Sequence, residues 1–361
     1  MRLVPLAESG LGIAKHEIAS LFEPFIDRAR TEQADAWRVE IARRKRKLLT
    51  QVAKRLLLPW RAGGRRGEAT VVSEYSDAWR TIDYGIYALD APQRNYTPWE
   101  WHGRRMFASD VGATRFRQLL LIRFIERLRP RRVLEVGCGN GINLILLAGR
   151  FPEIKFTGVE LTEAGHCAAR ELQKQSELPA ALRDYAPLPL ADATAFRRID
   201  FLQGNATNLP FEDDAFDLVI TVLALEQMER VRAQALREIA RVAGRYTLMI
   251  EPFQDINSAL WPRLNVLRRD YFRGRIADLG RCDLEPLLAF NDYPQEMFLK
   301  TCAVLAEKRC EPSHAVAASG RHQGADGSAA RCGALPVTGP TPPPERPHNV
   351  ESAPRRMGVG R

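Results

Sequence analysis

Cysteine is scarce and unpatterned, with six among 361 residues and no two in Cys-x-x-Cys spacing. That excludes a thiolate zinc centre and a disulfide framework, gives no reason to expect a metal, and fits a reducing cytosol. Long apolar runs are missing as well. No stretch approaches the ~20 residues that a membrane span requires, and residues 1–14 lack the apolar core of a secretory signal. The expected setting is therefore cytoplasmic, either soluble or peripheral at a membrane. No internal repeat is found, so a single ordinary core is expected rather than an array.

What is present begins with charge and helical spacing. Hydrophobic residues make up 45% and charged residues 27%, enough for one core of ordinary size with some chain left over. The formal net charge of +9 is concentrated, because Arg43-Arg44-Lys45-Arg46-Lys47, Lys54-Arg55 and the arginines from Arg61 to Arg66 crowd one stretch. Such a run suits an anionic membrane surface or RNA, or else it is a solvated helix face. Ile18, Leu21, Phe22, Phe25, Ile26 and Ala29 recur at helical spacing, Ser20 and Glu23 have capping-box form, and Pro24 delays or kinks the start. Trp37, Ile41, Leu48, Val52 and Leu56 stripe a second helix over 32–58, and Gly63-Gly64 reads as a linker or loop. From Tyr75 the chain turns aromatic, with Trp79, Tyr84, Tyr87, Tyr96, Trp99 and Trp101 following and His102 beside the last. A further helix is expected over 113–128, ended by Pro130.

The most informative stretch runs from Arg132 to Gly141. Val133, Leu134 and Val136 form the apolar run of a buried parallel strand. Gly137, Gly139 and Gly141 let the backbone turn tightly and approach a ligand, and Ile142 to Leu147 open a helix whose amides face the same spot. A dinucleotide turn needs Gly-x-Gly-x-x-Gly, yet Ile142 stands where its third glycine belongs. Glu135 at the strand end would repel a pyrophosphate and could hold a cationic amino-acid group. Residues 155–160 read as a second strand ending in the carboxylate of Glu160, placed to meet ribose hydroxyls, with a helix N-terminal charge as its alternative role. A third strand at 200–204, a fourth with its loop at 216–226 and a fifth at 245–251 follow, with helices at 163–176 and 237–242. Segments at 287–291 and 301–308 supply a closing pair, the last antiparallel.

In this order the motifs resemble those of the class I S-adenosylmethionine-dependent methyltransferases. Glu135-x-Gly137-x-Gly139-x-Gly141 looks like their first motif, Glu160 their second-strand acid, and Asn205 to Phe211 their adenine-reading turn, usually with Asp where Asn205 stands. The resemblance implies an α/β, doubly wound, seven-stranded and mainly parallel sheet occupying 111–310. Before it lies a helical, basic and aromatic N-terminal extension, 1–110; after it the Ala-, Gly-, Ser- and Pro-rich composition of 311–361 reads as a disordered tail. S-adenosyl-L-methionine is the implied cofactor. Glu135 and the amides of Gly137, Gly139 and Gly141 would hold its methionine part, Glu160 its ribose, and Asn205 with Ala206 its adenine, with Leu161 and Thr221 also among the contacts.

The implied reaction is methyl transfer to a small-molecule or lipid-like acceptor, the branch that the Leu209-Pro210-Phe211 turn resembles. Two alternatives stand beside it: an RNA or protein methyltransferase gripping a polyanion through the basic run, and a protein that binds the cofactor without chemistry. Thr221-Val222-Leu223-Ala224 replaces the Asn-or-Asp-Pro-Pro-aromatic tetrad of enzymes that methylate base amines, which disfavours that activity. In the family the segment before the first strand often builds the acceptor pocket, so the aromatic stretch through His102 is the pocket candidate. His102 is the first candidate for a general base and Glu226 the second, although Gln227 stands where relatives carry His. Residues 178–197, with Pro179, Pro187 and Pro189, read as an insertion, either surface loop or lid.

Overall fold

The computed structural model describes residues 2–57, 67–80 and 82–309. Its N-terminal part contains α1 (Lys15–Phe22), α2 (Arg28–Thr31), α3 (Ala36–Leu57), α4 (Glu68–Arg80), the short strands β1 (Thr97–Trp101) and β2 (Arg104–Ala108), and α5 (Asp110–Leu128). Strand and helix then alternate through β3 (Arg132–Val136), α6 (Ile142–Arg150), β4 (Lys155–Glu160), α7 (Glu163–Gln173), α8 (Ala180–Tyr185), β5 (Asp200–Gln203) and β6 (Phe216–Val222). The last elements are α9 (Arg232–Val242), β7 (Ala243–Glu251), α10 (Leu260–Arg269), β8 (Leu284–Phe290), β9 (Gln295–Glu296) and β10 (Cys302–Lys308). The expected tail at 311–361 and the Gly63-Gly64 linker lie outside the described residues.

Seven strands form one sheet in the order β5-β4-β3-β6-β7-β10-β8. β10 is antiparallel to both neighbours, while β5, β4, β3, β6 and β7 pair in parallel. This is the doubly wound α/β architecture, and its physical signature lies in single-residue alternation. Val133, Leu218 and Leu248 join the hydrophobic cluster that α5 and α6 cover, whereas their successors Leu134, Val219 and Met249 join the cluster that α9 covers. Successive side chains of a strand point to opposite faces, so a sheet covered on both must be apolar at every position.

The N-terminal extension is threaded into this core. Phe22 packs edge-on against Phe116 of α5 and against Trp99, and the Val4 amide donates to the Ala289 carbonyl on β8 at 2.9 Å. α1 begins at Lys15, not at Ser20: the Glu17 carboxylate accepts from the Ala14 amide at 2.7 Å, and Glu23-Pro24-Phe25 is a closing 3-10 turn. The capping-box reading of Ser20 and Glu23 fails because Glu17 already caps one turn earlier. A second departure is the hairpin of β1 and β2, which β9 extends to three strands. Trp101 pairs with Arg104 across a two-residue loop, His102 at φ +47° and Gly103 at φ +77°, the left-handed pair demanded by a tight turn matched to strand twist.

The 178–197 insertion is neither a loose loop nor a lid over the sheet. Tyr185 is fully buried, its carbonyl accepts from Nε of Arg115 at 2.9 Å, and Leu190 packs on Gly149 of α6. Its prolines shape a compact covering for the helix layer.

Candidate active site

The sheet reverses its winding between β3 and β6, and there the carboxyl ends of parallel strands leave a crevice. A cavity of about 230 Å³ occupies it. Gly137 and Gly139 form one wall, Glu160 to Thr162 and Asn205-Ala206 a second, and Leu223, Ala224, Gln227 and Met228 a third. Glu68, Val71, Tyr75 and Trp79 of α4 roof it. The glycines are sterically required: a Cβ on Gly139, at φ +54°, would lie 2.6 Å from Cζ2 of Trp79, and one on Gly137, at φ +77°, 2.5 Å from Cβ of Ala224. The turn can present only bare backbone to a ligand.

Glu160 ties the crevice together. One carboxylate oxygen accepts from the Gly139 amide at 3.0 Å, the other from the Thr162 amide at 2.9 Å and its hydroxyl at 2.6 Å. An ionised carboxylate offers about four acceptor sites, so room for one more donor remains. Asn205 bridges the mouth, its Nδ2 donating to Glu68 at 3.1 Å while Oδ1 accepts from Thr207. Behind the turn, Glu135 accepts from Nδ2 of Asn143 at 2.6 Å, and its other oxygen is buried without a partner. Burial raises its pKa to about 8, partly offset by the Asn143 hydrogen bond and reinforced by the charge of Glu160.

A second cavity, about 640 Å³, adjoins the first: Tyr75 and Leu223 line both. Leu223 is left-handed at φ +54°, an uncommon state for a branched residue that the surroundings must enforce. Glu251 does so from beneath, one oxygen accepting from the Ala224 amide at 3.0 Å and the Leu225 amide at 3.1 Å. Burial first, and the nearby Glu226 second, lift Glu251 to a pKa of about 8. Glu226, Asp110 and Glu296 bring carboxyls to the second cavity, and Arg117, Arg268 and Arg269 bring guanidinium groups. Burial raises the pKa of Glu296 to about 7 against the pull of the Phe298 and Leu299 amides.

Of the residues expected at the cofactor, the structure brings Gly137, Gly139, Glu160, Leu161, Asn205 and Ala206 to one cavity wall. Gly141 lies deeper, facing Phe201, and Glu135 and Thr221 lie behind the wall at 1% exposure each. Glu135, expected to hold the methionine part, thus has its carboxyl behind the cavity wall. Of the two base candidates, Glu226 lines the second cavity and His102 does not. His102 sits at the hairpin tip, where Nε2 meets Oδ1 of Asp292 at 2.7 Å, in a separate surface depression. Turn geometry put it there.

The basic run does not form one face either. At 3.6 residues per turn, five consecutive residues wrap the whole helix; Arg43, Arg44 and Lys47 line the second cavity, and Lys45 lies over the ring of Trp261. The site residues that the sequence reading missed are Arg117, Arg268 and Arg269. Arg117 is one of four arginines on α5, and Arg268-Arg269 closes α10, so spacing alone did not single them out.

Residues 134–245 match the family model described as a methyltransferase domain. The match takes in under a third of the chain, and with the sheet order and the glycine turn it supports a class I S-adenosylmethionine-dependent methyltransferase domain over these residues. The phthiotriol/phenolphthiotriol dimycocerosates methyltransferase 1 of Mycobacterium ulcerans is 34% identical over 97 residues, 27% of this chain and 28% of that protein. The norajmaline N-methyltransferase of Rauvolfia serpentina is 27% identical over 116 residues, 32% of this chain and 33% of that one. The chain thus spans about a third or less of the length of these curated relatives. Among solved structures, the magnesium protoporphyrin IX methyltransferase of Synechocystis with bound SAH superposes with a TM-score of 0.47 at 13% identity, covering 67% of this chain and all of that one.

The cofactor of this class is S-adenosylmethionine, and the residues present fit it. A glycine turn free of side chains, a carboxylate with an open acceptor site, an amide side chain at the mouth and an orphaned buried carboxyl oxygen suit a nucleoside carrying a cationic amino acid. Among the described residues no helix is long and apolar enough to cross a membrane.

Proposed function

We propose that the chain transfers a methyl group from S-adenosylmethionine to a small-molecule or lipid-like acceptor held in the second cavity. One observation carries the reading: a glycine-cradled crevice and a 640 Å³ cavity meet at Tyr75 and Leu223. Donor and acceptor sites sharing two residues are what alignment for in-line displacement requires. When bound, the cofactor supplies a methyl group made electrophilic by its sulfonium. The chain orients and encloses: the Gly137 and Gly139 backbone hold the methionine part, Glu160 and Leu161 the ribose, Asn205 and Ala206 the adenine, and α4 excludes water from above. Glu135, protonated below about pH 8, braces the turn from behind through Asn143. Glu226 accepts the proton when the acceptor is a hydroxyl or an acidic carbon.

Arg43, Arg44 and Lys47, which suggested RNA or an anionic membrane, line the cavity, and Glu40 pairs with both arginines. A lipid-like acceptor would still bring the protein to a membrane surface. The test is incubation of the full chain with methyl-labelled donor and fractionated cell extract, followed by mass spectrometry of labelled products. A labelled small molecule supports the reading; label in RNA or protein, or cofactor binding with no product from any fraction, overturns it.

A further inference from the structure

The second cavity is not the plain apolar pocket that a neutral lipid would want. Arg43, Arg44, Lys47, Arg117, Arg268 and Arg269 face it, against the carboxyls of Asp110, Glu226 and Glu296. Glu40, one turn earlier on α3, takes up Arg43 and Arg44 at 2.6 and 2.7 Å. Positive charge remains in excess.

Arg117 is the sharpest case. It is 6% exposed, it projects from the core helix α5, and its Nε is buried without a hydrogen-bond partner. The nearest aromatic ring, Phe116, has its centroid 5.8 Å away. Arg268 repeats the pattern with a buried, unpartnered Nε, while its terminal nitrogen donates to the neutral Asn265 side chain at 3.0 Å. Arg269 donates to the Tyr271 hydroxyl at 2.7 Å. Arg117, removed from water with its Nε unpartnered, is the costly case, and with the half-buried Arg268 and the exposed Arg269 it forms a fork-shaped receptor for an oxyanion. Among the acids of the wall, burial raises the pKa of Asp110 and lifts that of Glu296 to about 7, while Glu226 and Glu296 attract Arg269.

We infer that the acceptor is anionic, carrying a carboxylate or phosphate that Arg117, Arg268 and Arg269 anchor while its reactive end reaches Tyr75 and Leu223. This rests on the reading of the second cavity as the acceptor site. The anchored group is a handle for positioning, separate from the methylated atom.

Calorimetry on the full chain at low ionic strength tests it, using octanoate, octyl phosphate and octanol as probes and SAH as a parallel titrant. Octanoate, octyl phosphate or both should bind and octanol should not, and which anion binds distinguishes the two handles. Arg117→Gln should weaken anion binding roughly ten- to hundredfold, the loss of charge-assisted hydrogen bonds, with SAH affinity unchanged. If that variant fails to fold, Arg269→Gln, nearer the surface, serves in its place with the same expectation. Octanol binding as tightly as the anions, or anion affinity unaltered in a folded variant, overturns the inference. Anion binding without SAH binding leaves the anion site standing and refutes the methyltransferase reading beneath it.

Discussion

Glu251 sits under the loop that both cavities share, and its protonation should be visible in the stability of the whole chain. Folded, it holds a proton with a pKa of about 8 against an ordinary 4.5, because burial penalises the charged form and Glu226 repels it. Between those values the native state binds more protons than the unfolded chain. Stability from this group is therefore complete below about pH 4.5 and is lost as pH rises through about 8, at up to about 1.4 kcal/mol per pH unit. Glu251→Gln keeps the oxygen that accepts from the Ala224 and Leu225 amides and does not titrate. The variant's stability relative to the parent should climb by about 3 kcal/mol between pH 5 and 7.5. Urea unfolding at constant ionic strength, with equal m-values required of the two chains, measures this. Glu226→Gln, by removing the second cause, should flatten part of the slope. Parallel pH profiles for parent and Glu251→Gln would show that the carboxyl titrates alike in both states, and the argument for its buried role would collapse.

Glu135, also lifted to about 8 by burial, should contribute a second slope of the same sign, seen as a further flattening in Glu135→Gln over the same pH range. Glu160→Gln should weaken SAH binding about tenfold, since about one acceptor site is left for the ribose and one charge-assisted hydrogen bond contributes about 1.5 kcal/mol or more; unchanged affinity by calorimetry would remove Glu160 from the site. Gly139→Ala should destabilise the fold by about 1 to 2 kcal/mol through its left-handed backbone alone and push Trp79 off the turn, so a melting curve and an SAH titration should both respond. His102→Ala, at the exposed hairpin tip, should leave turnover of the identified acceptor intact, whereas Glu226→Gln should lower kcat by roughly 100- to 10,000-fold for an acceptor that needs a base; the reverse pattern would reinstate His102.

The sheet and the donor crevice were legible because their determinants are local. Apolar runs ending in Gly137-x-Gly139, in Glu160 and in Asn205 are each read within a few residues, and winding parallel strands in one direction and then the other leaves a single crevice where their carboxyl ends meet. The second cavity was not legible, since its residues come from α3, α4, α5, the loop after β6 and α10, among others, and share no spacing. His102 shows the difference most sharply. Its company of aromatic residues suggested a pocket, yet its position follows from a tight turn that had to place two left-handed residues between β1 and β2, and the hairpin carries it away from the crevice. The basic run misled for a related reason: a helix distributes consecutive residues around its axis, and only packing against α10 and the hairpin decides which charges face inward. Residue order determined the fold and the cofactor cradle of this protein, because backbone conformation and alternate burial are properties of neighbours in sequence. Which side chains surround the acceptor was decided in three dimensions, where segments far apart in the chain are brought together by burying their apolar faces and carry their charges in with them.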